Sequence, residues 1–147
     1  MKNVKFLLSA ALVFLASAAL AQDFSAPQYA KWGATPEERE QNILNSNFLK
    51  ESCDNRDYDA AAHYLKGLID KIPDAAESIY QRGAVVYKNK INRAKSVAEK
   101  NMFIDSLMLM YDMRAQYFGD NVKPGKTAFI LDQKAREFLR YKPNDRK

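Results

Sequence analysis

Cysteine and histidine are almost missing from this chain. Its 147 residues hold one of each, Cys53 and His63. A single cysteine excludes an internal disulfide. One cysteine and one histidine also fall short of the clustered nitrogen and sulfur ligands of a zinc site, so no metal is expected. Asp54, Asp57 and Asp59 crowd one stretch, but the glycine and closing glutamate of a calcium loop are missing around them. Helix capping and solvation account for them instead. His63 has Asp59 four residues before it and no serine or cysteine set beside it by a recognisable catalytic motif. Cys53 has no second cysteine at Cys-x-x-Cys spacing and no basic cluster to lower its pKa. Glycine-rich phosphate loops are absent. These absences read as a protein that is not an enzyme and carries no cofactor.

Alternation of apolar and polar residues is missing as well, so no half-buried strand is expected. Long apolar runs are confined to residues 6–20, which follow Met1, Lys2, Asn3, Val4 and Lys5 and precede Ala19-Leu20-Ala21. A basic start, a short apolar core and a small-x-small ending describe a secretory signal peptide, and the run falls short of the ~20 residues of a membrane span. Cleavage after Ala21 is expected to export the chain, to the periplasm of a Gram-negative envelope. Loss of Lys2 and Lys5 lowers the formal charge from +5 to +3, a mild excess that does not by itself imply nucleic acid. The remaining length suits one domain with an apolar core.

Residues 22–34 carry Pro27 and Gly33 without a helical period and are expected to form an extended arm whose aromatics, Phe24, Tyr29 and Trp32, pack back onto the domain. Five helices follow. Thr35-Pro36-Glu37-Glu38 combines a cap, a proline at the first helical position and a capping box, and opens a helix reaching about Asp54, with Leu44, Phe48, Leu49 and Ser52 or Cys53 on one face. Asp57 caps the second helix, in which Tyr58, Ala61, Ala62, Leu65, Leu68, Ile69 and Ile72 recur at three- and four-residue spacing before Pro73. Asp74 is expected to cap a third helix with Ile79, Gly83, Val86 and Tyr87 on its inner face, ending near Asn89 or Ile91. The basic run over residues 88–100 reads as a solvated loop and helix start. The fourth helix, rich in Met102, Met108, Met110 and Met113, is apolar on more than one face and so is expected to lie between neighbours; Gly119 closes it. A fifth, from Lys126 to about Lys142, presents Ala128, Leu131, Ala135, Phe138 and Leu139.

Residues recur at an offset of 34 positions: Asn45 with Ile79, Phe48 with Arg82, Leu49 with Gly83. A period near 34 with alternating bulky and small helix residues and a closing proline is the tetratricopeptide pattern. Over residues 42–119 the chain resembles the tetratricopeptide repeat (TPR) family: Tyr58, Ala61, Tyr64, Leu65 and Pro73 match its second helix, and Gly83 its small position. Asn45, Leu49 and Ser52 depart from it, and extra residues around 90–98 break the register. Residues 33–38, 80–84, 103–112, 117–119 and 139–143 look like the N-terminal region of exported TPR proteins of Bacteroidetes-type Gram-negative bacteria. The resemblance implies an all-α fold of antiparallel hairpins stacked as a short TPR-like α-solenoid. Its domain plan is a signal peptide (1–21), an arm (22–34), the helical domain (35–142) and a polar tail (143–147).

TPR proteins bind peptides on the concave face of their first helices. By this register that face carries Ser46, Asn47, Lys50 and Asp54 from the first repeat and Glu77, Tyr80, Gln81, Ala84, Tyr87 and Lys88 from the second. The resemblance therefore implies a peptide or partner protein as ligand. The competing expectation is a structural helical module that self-associates, as a homo-oligomer or within a larger envelope assembly, through the methionine-rich fourth helix or the unpaired fifth.

Overall fold

The computed structural model describes residues 22–142, so the expected leader at 1–21 and tail at 143–147 lie outside it. A 3-10 helix, Pro27–Trp32, precedes five α-helices: α1 Pro36–Asp54, α2 Tyr58–Lys71, α3 Glu77–Arg93, α4 Val97–Phe118 and α5 Lys126–Tyr141. Each α-helix packs on its neighbours in sequence, and α1 also touches α3. The described chain is all-α, with sequential helix pairs in a stacked-hairpin, solenoid-like arrangement. None of its helices is long and apolar enough to cross a membrane.

Local chemistry sets most boundaries. Thr35 accepts the Glu38 N–H while the Glu38 side chain accepts the Thr35 N–H, which completes the capping box of α1. Asp57 accepts the Ala60 N–H at the start of α2, and Ser96 accepts the Glu99 N–H at the start of α4. The α3 cap differs from expectation. The helix starts at Glu77 behind Ala76, which offers no side-chain cap. Asp74 stays in the preceding turn opposite Lys31, 3.8 Å away, and the Tyr80 hydroxyl holds that turn by donating to the Pro73 carbonyl at 2.6 Å. Helix α3 also runs on to Arg93, so the basic run is only partly a loop: Lys88 and Lys90 project from the last turns of α3.

The arm is coiled rather than extended. Pro27 opens its 3-10 turn, and Trp32 packs against the core between α1 and α2. Arg39 draws the arm onto α1 by donating to the carbonyls of Gly33 (2.9 Å), Phe24 (3.1 Å), Ser25 (3.3 Å) and Ala34 (3.4 Å). Asn42, a buried polar residue, donates to the Trp32 carbonyl at 2.7 Å. An unpaired buried amide costs of order 1–3 kcal/mol, so this bond is what makes Asn42 tolerable there.

The α2 face is as its spacing predicts: Tyr58, Ala61, Leu65, Leu68 and Ile72 are all buried. Leu49 is buried on α1, whereas Leu44 is left exposed and Ser46 is buried, so the inner face of α1 is turned from the one expected. The methionine-rich α4 lies between α3 and α5, with Met108 and Met110 buried but Met102 and Leu109 exposed. In α5, Ile130 is the buried residue, and Phe138 and Tyr141 pack partly against the core. Ala128, Leu131, Ala135 and Leu139 face outward. Gly119 does stand at the end of α4, with φ −88° rather than a left-handed value. Its requirement is space: an added Cβ would lie 2.2 Å from Thr127 Oγ1 and 2.3 Å from the Ala115 carbonyl oxygen.

Gly83 marks the tightest packing of α3. A Cβ there would sit 2.6 Å from Met110 Sδ on α4 and 3.1 Å from Leu65 Cδ2 on α2. Gly67, in the middle of α2, has nothing within 4 Å of a Cβ. The two helical glycines should therefore respond with opposite sign. Gly67→Ala should stabilise by about 0.5–1 kcal/mol through helix propensity, and Gly83→Val should destabilise by about 1–3 kcal/mol through overpacking. Urea denaturation followed by circular dichroism measures both.

Candidate functional site

Helices α3 and α5 flank two adjoining clefts that share Lys88, Tyr111 and Gln133. The first, of about 250 Å³, is lined by Gln81, Ala84, Val85 and Lys88 of α3, by Met110, Tyr111 and Arg114 of α4, and by Gln133 of α5, with Tyr80 at its base. The second, of about 350 Å³, continues along α5 past Phe129, Asp132, Arg136, Glu137 and Arg140. Together they form a groove with α4 as floor. Its walls follow from helical spacing: Gln81, Ala84, Val85 and Lys88 recur at three to four residues on α3, and Gln133, Glu137 and Arg140 do so on α5.

Most charges in and beside the groove are already matched. Lys88 Nζ lies 2.6 Å from Glu137 Oε1. Burial alone would lower the Lys88 pKa, but Glu137 and Tyr111 outweigh it and the net direction is upward, so Lys88 stays charged. The second Glu137 oxygen, Oε2, is buried and accepts no hydrogen bond among the described residues; Arg140 Nη1 sits 3.5 Å away as an ionic neighbour. Arg114 is held from two sides. Its Nε donates to Glu77 Oε1 at 2.9 Å and its Nη1 to Gln133 Oε1 at 2.9 Å. Glu77 Oε2 accepts from Lys126 Nζ at 2.6 Å. One carboxylate thus ties α3 to α4 and to the first residue of α5. Because Arg114 occupies the oxygen of the Gln133 amide, the NH₂ group of that amide is left as a donor.

The residues expected to bind a partner divide into three groups. Gln81 and Lys88 line the groove, Gln81 exposed and Lys88 half-buried. Tyr80 and Glu77 have structural positions: Tyr80 is 1% exposed, lies parallel to Tyr117 at 6.3 Å and gives its hydroxyl to Pro73, and burial pushes its pKa well up. Glu77 is the three-helix clamp. Tyr87 is half-buried and packs against both apolar clusters, and Ala84 is buried. The α1 residues stand apart. Asn47 is exposed, and Lys50 pairs with Asp54 at 2.6 Å on the helix surface; neither these three nor the buried Ser46 line the two clefts.

Sequence reasoning missed Tyr111, Arg114, Gln133 and Glu137. Arg114 is the one arginine of the methionine-rich α4, which is a usable signal. The α5 residues carry no local signal, because the repeat register covers only residues 42–119. The other candidates are in ordinary settings. His63 is exposed, edge-on to Tyr64 at 5.6 Å. Cys53 is half-buried, and burial pushes its thiol pKa up, away from the reactive thiolate. Asp54, Asp57 and Asp59 go to Lys50, the α2 cap and Lys90 respectively.

Comparison with protein-family models, with curated proteins and with solved structures finds no match for the chain. The class is accordingly defined by the architecture itself: a small all-helical protein of sequentially packed helices with a polar groove between α3 and α5.

The Glu77 clamp has a pH signature. Burial works to raise the Glu77 pKa, but the hydrogen bonds from Lys126 and Arg114 prevail and its net direction is downward. Its side chain is 23% exposed and that of Arg114 11%, so the bridge is largely withdrawn from solvent. A carboxylate with a depressed folded-state pKa contributes stability that is complete above its unfolded value and is lost as pH falls through the folded one. Stability should therefore drop below about pH 5. Glu77→Gln should cost about 1–2 kcal/mol at neutral pH and flatten that part of the decline, as read from urea midpoints between about pH 3 and 7.

Proposed function

We propose that this protein is an exported, non-catalytic TPR-like interaction module that holds an extended segment of a partner protein in the groove between α3 and α5. The observation that carries the proposal is the placing of Gln81 and Gln133 on opposite walls of one cleft. An extended peptide needs donors and acceptors for its backbone and room for alternate side chains. Gln81 offers a free amide, Gln133 an amide fixed through its oxygen by Arg114, and the exposed Val85 an apolar contact beside them. Lys88 and Arg114 are braced by Glu137 and Glu77, so the groove is pre-organised and loses little entropy on binding. The tetratricopeptide resemblance and the leader pattern in residues 1–21 support the class and the periplasmic address.

A second reading rests on the outward stripe of α5. Leu131 and Leu139 are 42% and 41% exposed, and Phe129 is 56% exposed. Such a helix face favours self-association.

Co-purification from an envelope extract with mass spectrometry separates the two. A partner held in the groove should be retained by the unaltered protein and by Leu131→Glu, and should lose about tenfold or more of its affinity with Gln81→Ala and Gln133→Ala combined. Retention that survives the glutamine changes refutes the groove. A mass by light scattering that rises with concentration and collapses with Leu131→Glu would establish the second reading.

A further inference from the structure

The basic run that the groove leaves unused converges at one end of the helix stack. Arg56 in the α1–α2 turn, Lys90 and Arg93 on the last turns of α3, and Lys95 before α4 line a cleft of about 280 Å³. Three carboxylates share it, and each is engaged. Asp57 accepts the Ala60 N–H, Glu99 accepts the Lys95 N–H, and Asp59 takes Lys90. Lys90 also lies 5.1 Å from the Phe103 ring centre, and Arg93 lies 4.9 Å from that of Tyr58. The aromatic faces hold these two cations along the cleft wall. Arg56, Arg93 and Lys95 form no ion pair among the described residues. Arg56 is held in a left-handed conformation, φ 60°, which few residues other than glycine, asparagine and aspartate adopt readily.

The charge balance is positive. Four cations against three carboxylates leave one positive charge. The cleft also meets the N-terminal ends of α2 and α4, which add about half a charge each, while the C-terminal ends of α1 and α3 remove about half each, for a residual of about +1. A phosphomonoester carries about −1.5 to −2 at neutral pH and three acceptor oxygens. Two guanidinium forks and an ammonium without ionic partners suit those oxygens. A single carboxylate has two oxygens, fewer than the three cationic groups that line the cleft without an ionic partner.

From this geometry we infer that the cleft between the α1–α2 turn, the end of α3 and the start of α4 binds a phosphomonoester group. The inference is independent of the α3–α5 groove. The phosphate belongs either to a soluble phosphorylated molecule or to a lipid headgroup, and both present the same dianion to Arg56, Arg93 and Lys95.

Titration of the purified protein with inorganic phosphate and with O-phosphoserine, followed by amide shifts in nitrogen–proton NMR, tests the site. Chloride at matched ionic strength is the reference. Saturable shifts are expected at Tyr58, Arg93 and Lys95. Arg93→Gln or Lys95→Gln should weaken binding about tenfold, the scale of one charge-assisted hydrogen bond. Asp59→Asn, which removes a competing carboxylate and frees Lys90, should tighten it. The opposite direction of that change distinguishes a binding site from general disruption of the fold. Phosphatidylcholine vesicles with and without phosphatidic acid identify the source. Sedimentation with phosphatidic acid vesicles that free phosphate competes away assigns a lipid headgroup; saturation by the soluble phosphates without vesicle binding assigns a soluble ligand. Shifts that stay linear in phosphate, that chloride reproduces, or that all three variants leave unchanged overturn the inference.

Discussion

Helices α2 and α4 meet on α3 at Gly83. Leu65 of α2 reaches that position from one side and Met110 of α4 from the other, and α1 touches the same helix. A residue without a side chain lets two helices approach the third closely enough for Leu65, Ile79, Val86 and Met110 to share one buried cluster. Close packing of this kind carries a penalty for any added volume, so α3 is confined in rotation as well as in position. That confinement decides which residues of α3 face outward and therefore what the groove contains.

Around this centre the two ends of the helix stack are secured by polar contacts rather than by more core. At the first end Arg39 gathers four backbone carbonyls and Asn42 a fifth, which folds the arm over α1 and brings Trp32 onto the core. At the other end Glu77 joins α3 to Arg114 and Lys126, and Asp120 and Thr127 exchange hydrogen bonds across the α4–α5 loop at 2.9 Å each. Helix α5 has one fully buried side chain, Ile130, so these polar ties carry a large share of its attachment. The same ties brace the walls of the α3–α5 groove, so anchoring of the helix and pre-organisation of the groove depend on the same residues.

Residues that serve helix stability and residues free for recognition separate clearly in their charge partners. Lys88, Arg114 and Lys126 are each committed to a carboxylate, and the α3–α5 groove carries the Gln81 and Gln133 amides. Arg56, Arg93 and Lys95 are uncommitted among the described residues and meet at a cleft that α2 and α4 enter by their N-termini. One chain thus offers two chemically distinct surfaces, one suited to a neutral backbone and one to a compact anion.

Helix identity was legible where a signal is local. The capping box at Thr35 and Glu38, the Asp57 cap, and the apolar spacing of α2 are all properties of a few consecutive residues, and they hold in the structure. Asp74 does not cap α3 because the helix starts only at Glu77, behind Ala76, and Asp74 stays in the turn opposite Lys31. The arm was read as extended because a 3-10 turn has no long period to detect. In α5 the periodicity does not say which side is covered: Leu131 and Leu139 form a stripe as regular as an inner face, and only the fit of Ile130 against α4 decides it. Of the residues picked by the repeat register, Gln81 and Lys88 line the α3–α5 groove and Tyr80 lies buried, because a tyrosine on the same register can point outward or lie under a neighbouring ring. By itself the sequence determined that the chain is helical, where most helices begin, and that neighbours along the chain pair. Tertiary structure alone decided which face of each helix is covered and which charges are paired. Those outcomes depend on contacts between residues distant in sequence, for which local propensity carries no information.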